Sequence, residues 1–329
     1  MAHETATLGY NAAMGLALVE EMRVDERVFV LGQGVATGGW FGAEKGLVEE
    51  FGRERVLDTN ISEAFEAGFA AGAAIAGLKP VVNMGFGDFA LIAGDEIFHK
   101  LAKWRYMHGL DFPMTAVVIF PIGGMGGAGP EHSSCTEVLG MHFPGLKVVV
   151  PSTPADAKGL MKSALREPNP VLFHSVQSLG WTKGEVPLDP SFTVPFGSAA
   201  IRRPGKSATL ITYGSMVRRS LEAAERLAPT GIDLEIIDLR SLVPLDWDTV
   251  LASVRRNHRA MIVHEAVRTA GPGAEIAARI QEEAFFDLEA PILRVAAKDV
   301  PLPQQAALEA LCLPSVDEIA ATAERLVGT

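Results

Sequence analysis

Lys147-Val148-Val149-Val150-Pro151-Ser152 is the stretch that decides the fold. A short apolar run, closed by Pro and Ser before a helical pattern begins, reads as one strand-to-helix step. The same step recurs along the first half of the chain. It predicts strands near Val28–Leu31, Val81–Met84, Thr115–Phe120 and Val171–His174, with helices between them. Strands alternating with helices give a parallel α/β architecture, here one doubly wound sheet.

Working outward, the periodicity breaks at Gly180-Trp181-Thr182-Lys183-Gly184-Glu185-Val186-Pro187 and stays broken to Pro195, in a stretch rich in Pro and Gly. Residues 181–197 are therefore expected to link a first domain, 1–180, to a second, 198–329. In the second, Ala208–Tyr213, Leu234–Leu239, Ala260–His264 and Ile292–Val295 read as strands. Met216–Leu227 and Ala274–Phe285 read as helices among them, which makes a smaller α/β domain.

A chain of 329 residues that is 48% hydrophobic can bury the cores of both domains. Its formal net charge of -11, with no basic run, argues against a nucleic-acid partner, because nothing would displace phosphate counterions. Cys135 and Cys312 are the only cysteines, far apart and without metal-ligand spacing. The N-terminus shows no positive segment followed by an apolar one, and no stretch reaches the roughly 20 apolar residues of a membrane span. A soluble protein of the reducing cytoplasm is the expectation.

Two motifs could carry chemistry. In Asp58-Thr59-Asn60-Ile61-Ser62-Glu63, Asn60 as N-cap with Glu63 three positions on fits a capping box. The same carboxyl, at a helix start facing an interface cleft, could instead share a proton with a cofactor ring nitrogen. Helix position alone leaves both open.

The second motif is the loop Gly123-Gly124-Met125-Gly126-Gly127-Ala128-Gly129-Pro130-Glu131-His132-Ser133. Gly124, Gly126 and Gly129 match the dinucleotide-binding GxGxxG pattern, but Pro130 interrupts it. Val149 also stands where an acidic residue, about 20 positions on, would be needed. The loop reads as a turn that delivers His132 to the carboxyl end of a strand, the alternative being that His132 caps the next helix. His99, His108, His142, His174 and His264 lie on or beside helices and apolar segments and read as structural. Neither a GxxxxGK[ST] phosphate loop nor a GxSxG elbow occurs.

In order and spacing these pieces resemble the beta subunits of the pyruvate, branched-chain and acetoin dehydrogenase complexes, of the transketolase-like superfamily. The matching stretches include Arg27-Val28-Phe29-Val30-Leu31-Gly32, Ile61-Ser62-Glu63, Gly85-Phe86-Gly87-Asp88-Phe89 and Lys103-Trp104-Arg105-Tyr106-Met107. They continue through the glycine loop to His132-Ser133, Pro144-Gly145-Leu146-Lys147, Ile237-Asp238-Leu239-Arg240 and Val263-His264-Glu265-Ala266. The likeness covers nearly the whole chain.

That resemblance implies a thiamine diphosphate enzyme with a pyrimidine-binding domain followed by a transketolase C-terminal-like domain. It assigns Glu63 to the glutamate that hydrogen-bonds the aminopyrimidine N1′ and so activates the cofactor. Phe86 and Phe89 fall where the family packs aromatics against the pyrimidine. His132 matches the histidine that orients substrate during acyl transfer to a lipoyl sulfur. The GDG motif that anchors Mg²⁺ and diphosphate in this class is not found, which implies an alpha subunit carrying it, in an α2β2 assembly. Potassium in the family is held by carbonyls in the stretch matching Ala164, Glu167 and Asn169.

The implied reaction is decarboxylation of a 2-oxo acid and acyl transfer to the lipoyl arm of an acyltransferase. Acyloin cleavage is an alternative, since Met84-Gly85-Phe86-Gly87-Asp88-Phe89 is similar to acetoin-type members, and ketol transfer by a split transketolase is another. Departures are also present. Gln33-Gly34 stands where members often carry an acidic pair, Ile92 where some carry an acid, and Asn83 where Glu is frequent. Gln304-Gln305 stands where an aromatic is common.

Overall fold

A computed structural model describes residues 4–109 and 111–328. The chain divides into two units, Met1–Ile122 with Leu139–Phe196, and Gly123–Val138 with Gly197–Thr329.

The first unit contains β1 (Thr5–Gly9), β2 (Val28–Gly32), β3 (Val56–Asp58), β4 (Lys79–Asn83), β5 (Val117–Ile122), β6 (Lys147–Val149), β7 (Val171–Val176) and β8 (Lys183–Pro187). The order β6-β7-β5-β4-β2-β3 makes a parallel sheet, as the alternation of runs and breaks implies. Every residue of β2, β5 and β7 is buried, the signature of strands covered on both faces. The helix Pro154–Arg166 follows β6. Thr153 caps it by accepting the Asp156 N–H, and Pro154 occupies the first turn, where a missing N–H costs nothing. It packs on the helix Tyr10–Val24. There the buried Lys162 ammonium meets Glu20 at 2.6 Å and Glu21 at 3.0 Å, so this buried cation is paired.

Two stretches differ from expectation. Within 181–197, β8 pairs antiparallel with β1 instead of running as open linker, because alternation over five residues is masked by its Pro and Gly neighbours. The glycine loop, Gly123–Val138, groups with the second unit although β5, which leads into it, belongs to the first.

The second unit holds β9 (Ala200–Arg203), β10 (Ala208–Thr212), β11 (Leu234–Asp238), β12 (Ser241–Val243), β13 (Ala260–Val267) and β14 (Leu293–Ala297). The order β14-β13-β10-β11-β9 is parallel except for β9, which runs against β11. Leu210, Ile236, Met261 and Val263 from the sheet pack with Leu227 and Leu326 from the helices Met216–Leu227 and Val316–Val327. Among the described residues, no helix is long and apolar enough to cross a membrane.

Candidate functional site

Three neighbouring strands of the first unit, β4, β2 and β3, are parallel and in register at their carboxyl ends, Gly32 lying opposite both Asn83 and Asp58. Asn83, Gln33 and Thr59 therefore emerge along one edge, the edge where open α/β sheets place their ligands. From Thr59 the chain turns through Asn60-Ile61-Ser62 into the helix Glu63–Ile75.

Glu63 is the first helical residue and only 4% exposed. The N-cap is Ser62, and its side chain makes no capping bond. The capping box built on Asn60 is thereby corrected: the helix starts too late for Asn60 to cap it, and Glu63 sits at the first position, not the third. The Glu63 carboxyl is instead directed by a side chain from the strand edge, Gln33, whose Nε2 donates to Glu63 Oε1 at 3.2 Å.

One turn on, Glu66 shares the buried face of this helix and accepts the Thr59 hydroxyl. Burial first, and the Glu63 charge after it, push its carboxyl up to about 7. A third acid, Glu44, is almost wholly enclosed and also pushed up to about 7 by burial. Asn83 Nδ2 donates to Glu44 Oε1 at 2.6 Å, and Asn83 Oδ1 accepts the Gly85 N–H at 3.0 Å. The amide at position 83 thus ties the buried acid to the turn carrying Phe86. Phe86 packs edge-on against Phe41 at 5.9 Å and Phe89 at 5.7 Å, with Trp40 at 6.3 Å. Phe86 and Phe89 are both partly exposed, so they are not simply core residues.

His132 belongs to the second unit. The helix after its loop opens at Glu137, five residues beyond His132. The His132 N–H and the Ser133 hydroxyl both donate to the Gly129 carbonyl, at 3.3 and 2.8 Å. Behind the loop, Tyr213 donates to the fully buried Glu137 at 2.7 Å, whose carboxyl burial pushes up to about 7. His264 is buried and neutral, burial lowering it to about 4, which agrees with a structural reading. The loop and β13 also line a cavity of about 680 Å³, walled by Ser133, Cys135, Glu265, Val267, Val300 and Leu302. That size suits a small molecule.

Ala164, Glu167 and Asn169 surround the end of the helix Pro154–Arg166. The Ala164 carbonyl accepts the Glu167 N–H at 3.3 Å, and the Glu167 carbonyl accepts the Thr115 hydroxyl at 2.9 Å. A helix carboxyl end concentrates carbonyl oxygens and favours a cation. Among the described residues no cluster of three His, Cys, Asp or Glu could hold a metal ion.

Sequence reasoning picked out Glu63, Phe86, Phe89 and His132 but missed Gln33, Glu44 and Glu66 as parts of this edge. Gln33 and Asn83 had drawn attention only as replacements for acids. The signal was their position directly after or at the end of an apolar run, where a polar side chain reaches the carboxyl edge of a parallel sheet.

Residues 6–179 match the pyrimidine binding domain of transketolase, and residues 197–319 its C-terminal domain. The chain is 44% identical over 317 residues to the pyruvate dehydrogenase E1 component subunit beta of Rhizobium meliloti, covering 96% of this chain and 69% of that protein. It is 40% identical to the 2-oxoisovalerate dehydrogenase subunit beta of Bacillus subtilis, over 98% of this chain and 99% of that protein. A solved split-gene transketolase, an inactive beta4 tetramer, superimposes with a TM-score of 0.78 at 23% identity over 98% of each chain, a likeness of fold.

Proposed function

The chain belongs to the beta subunits of the thiamine diphosphate-dependent 2-oxo-acid dehydrogenases, and on that premise we propose that it contributes Glu63 and His132 to catalysis completed by an alpha subunit. The observation that carries this reading is the Glu63 carboxyl: buried at the first position of its helix and held by the neutral Gln33 amide, which follows β2 at the ligand edge of the sheet.

The residues present fit the cofactor. A buried carboxyl with one oxygen held by Gln33 is oriented to hydrogen-bond a ring nitrogen and hold a proton there. Phe86 and Phe89 offer partly exposed ring surface for an aromatic pyrimidine. Thiamine diphosphate bound there would supply the electron sink that decarboxylation of a 2-oxo acid needs. His132, delivered by the glycine loop, orients substrate and moves a proton as the acyl group passes to a lipoyl sulfur.

Mg²⁺ and the diphosphate are assigned to the GDG-bearing alpha subunit, in an α2β2 complex serving a lipoyl-bearing acyltransferase in the cytoplasm. A potassium ion at the Ala164, Glu167 and Asn169 carbonyls would brace the end of the helix below them, and each of the two bonded carbonyls keeps a second lone pair for it.

The test is reconstitution with an alpha subunit, offering pyruvate, branched-chain 2-oxo acids, acetoin and a ketose with an aldose acceptor in turn, with an artificial electron acceptor for the first three. Turnover of a 2-oxo acid by the pair, and by neither chain alone, is expected. Tight cofactor binding by this chain alone, or turnover only of the ketose, would overturn the proposal.

A further inference from the structure

We propose that Glu309 and Glu265 are positioning residues, whose carboxylates hold the glycine loop in the one shape that presents His132. The loop has no side-chain handles of its own at positions 123, 124, 126, 127 and 129, all glycine. Gly123, Gly126, Gly127 and Gly129 lie at positive φ, between 82° and 121°, where other residues are strained. Such a segment loses much chain entropy on ordering, and at its glycines the backbone N–H and C=O groups are the only polar handles.

Three of those N–H groups, on Gly124, Gly126 and Gly127, are taken up by two buried acids of the same unit. Gly126 and Gly127 donate to the two oxygens of Glu309, each at 2.8 Å. Gly124 donates to Glu265 Oε1 at 2.7 Å, and the other oxygen of Glu265 accepts the Ser215 hydroxyl. Glu309 is 4% exposed and Glu265 8% exposed, so these bonds form away from water, where hydrogen bonds are strongest. The fit is close. A Cβ on Gly124 would come within 2.6 Å of Glu309 Oε1, and one on Gly127 within 2.5 Å of the Gln304 carbonyl oxygen.

Consecutive N–H groups pointing inward are the arrangement that cradles phosphate elsewhere. Here the protein's own carboxylates fill the cradle, which explains why a GxGxxG match serves no nucleotide. The loop shape then passes to the histidine through Gly129, whose carbonyl accepts both the His132 N–H and the Ser133 hydroxyl. Glu265 also walls the cavity beside Ser133 and Cys135, so one side chain fixes both the loop and its neighbouring space.

This inference rests on the reading that His132 acts on substrate, and a double-mutant cycle separates the two. Glu309→Gln is isosteric but turns an amide N–H₂ toward one loop N–H. Gly126→Ala has open space around its Cβ yet strains the loop at φ +95°, so it distorts the loop from the glycine side and leaves the Glu309 carboxyl itself unaltered. In the reconstituted complex with intact His132, each is expected to lower kcat about tenfold or more while leaving KM for thiamine diphosphate unchanged. In a His132→Ala background the same substitutions are expected to have no further effect. Should both act undiminished without His132, or neither act with it, the positioning role is overturned. If His132→Ala alone turns over normally, the reading of His132 fails first and the inference falls with it.

Discussion

A carboxyl that must meet a ring nitrogen from one direction has to be fixed before the ring arrives, and Gln33 does this for Glu63. A hydrogen bond to a charged group is worth roughly 1.5–3 kcal/mol. Gln33→Ala is therefore expected to lower turnover of the reconstituted complex by about tenfold or more, with assembly intact by size-exclusion chromatography. Unchanged turnover would show that Glu63 orients itself. At this scale the sequence was informative about which residues matter and poor about how they are held. Glu63 and His132 were legible from motif and resemblance. The mistaken cap at Asn60 shows the limit: Thr, Asn and Ser in a row all have capping chemistry, and only the path of the chain from β3 selects Ser62. Glu44 and Glu66 were invisible because burial of an acid is set by distant residues that enclose it.

At the scale of elements, fully apolar runs identified most strands of both sheets, since parallel strands buried on two faces advertise themselves. The missed ones were short or at edges: β3 has three residues, and β9 runs antiparallel as a partly exposed edge strand. The turn before β6 depends on one glycine. Gly145 adopts φ +103°, and a Cβ there would sit 1.8 Å from the Ala102 carbonyl oxygen, a backbone atom with no easy retreat. Gly145→Ala is expected to destabilise the first unit by about 3 kcal/mol or more, read as a shift of its urea midpoint. In the second unit, Leu210 is completely buried at the centre of the sheet, and Leu210→Ala is expected to cost about 2–5 kcal/mol by the same measurement. A midpoint unmoved by either substitution would mean that the packing differs from that described.

Over the whole molecule, Glu44, Glu66 and Glu137 give stability a common pH dependence. Burial leads in raising each from an ordinary 4.5 to about 7 in the folded protein. Between those values the native state holds protons that the unfolded chain has released, so stability falls as pH rises from about 4.5 through about 7. Glu44→Gln keeps an oxygen to accept from Asn83 and removes the charge. It is expected to raise the melting temperature at about pH 8 and to leave it nearly unchanged at about pH 4, by calorimetry. An equal change at both pH values would contradict a raised Glu44. Two α/β units were legible at this scale from the restart of periodicity. The grouping of Gly123–Val138 with the second unit was not, because those carboxylates, Glu265 and Glu309, lie 141 and 183 residues along the chain from their glycine partners.

The central claim, that this chain contributes the carboxyl activating a shared cofactor, is tested most directly by Glu63→Gln in the reconstituted alpha–beta complex. Decarboxylation of a 2-oxo acid would be followed with an artificial electron acceptor, and thiamine diphosphate binding by calorimetry. The expected result is a complex that assembles and binds cofactor but has lost about 100-fold or more of its turnover, as removal of a proton-holding group implies. A Glu63→Gln complex that turns over like the wild type would contradict the claim and leave Glu63 a helix-start residue without a catalytic part.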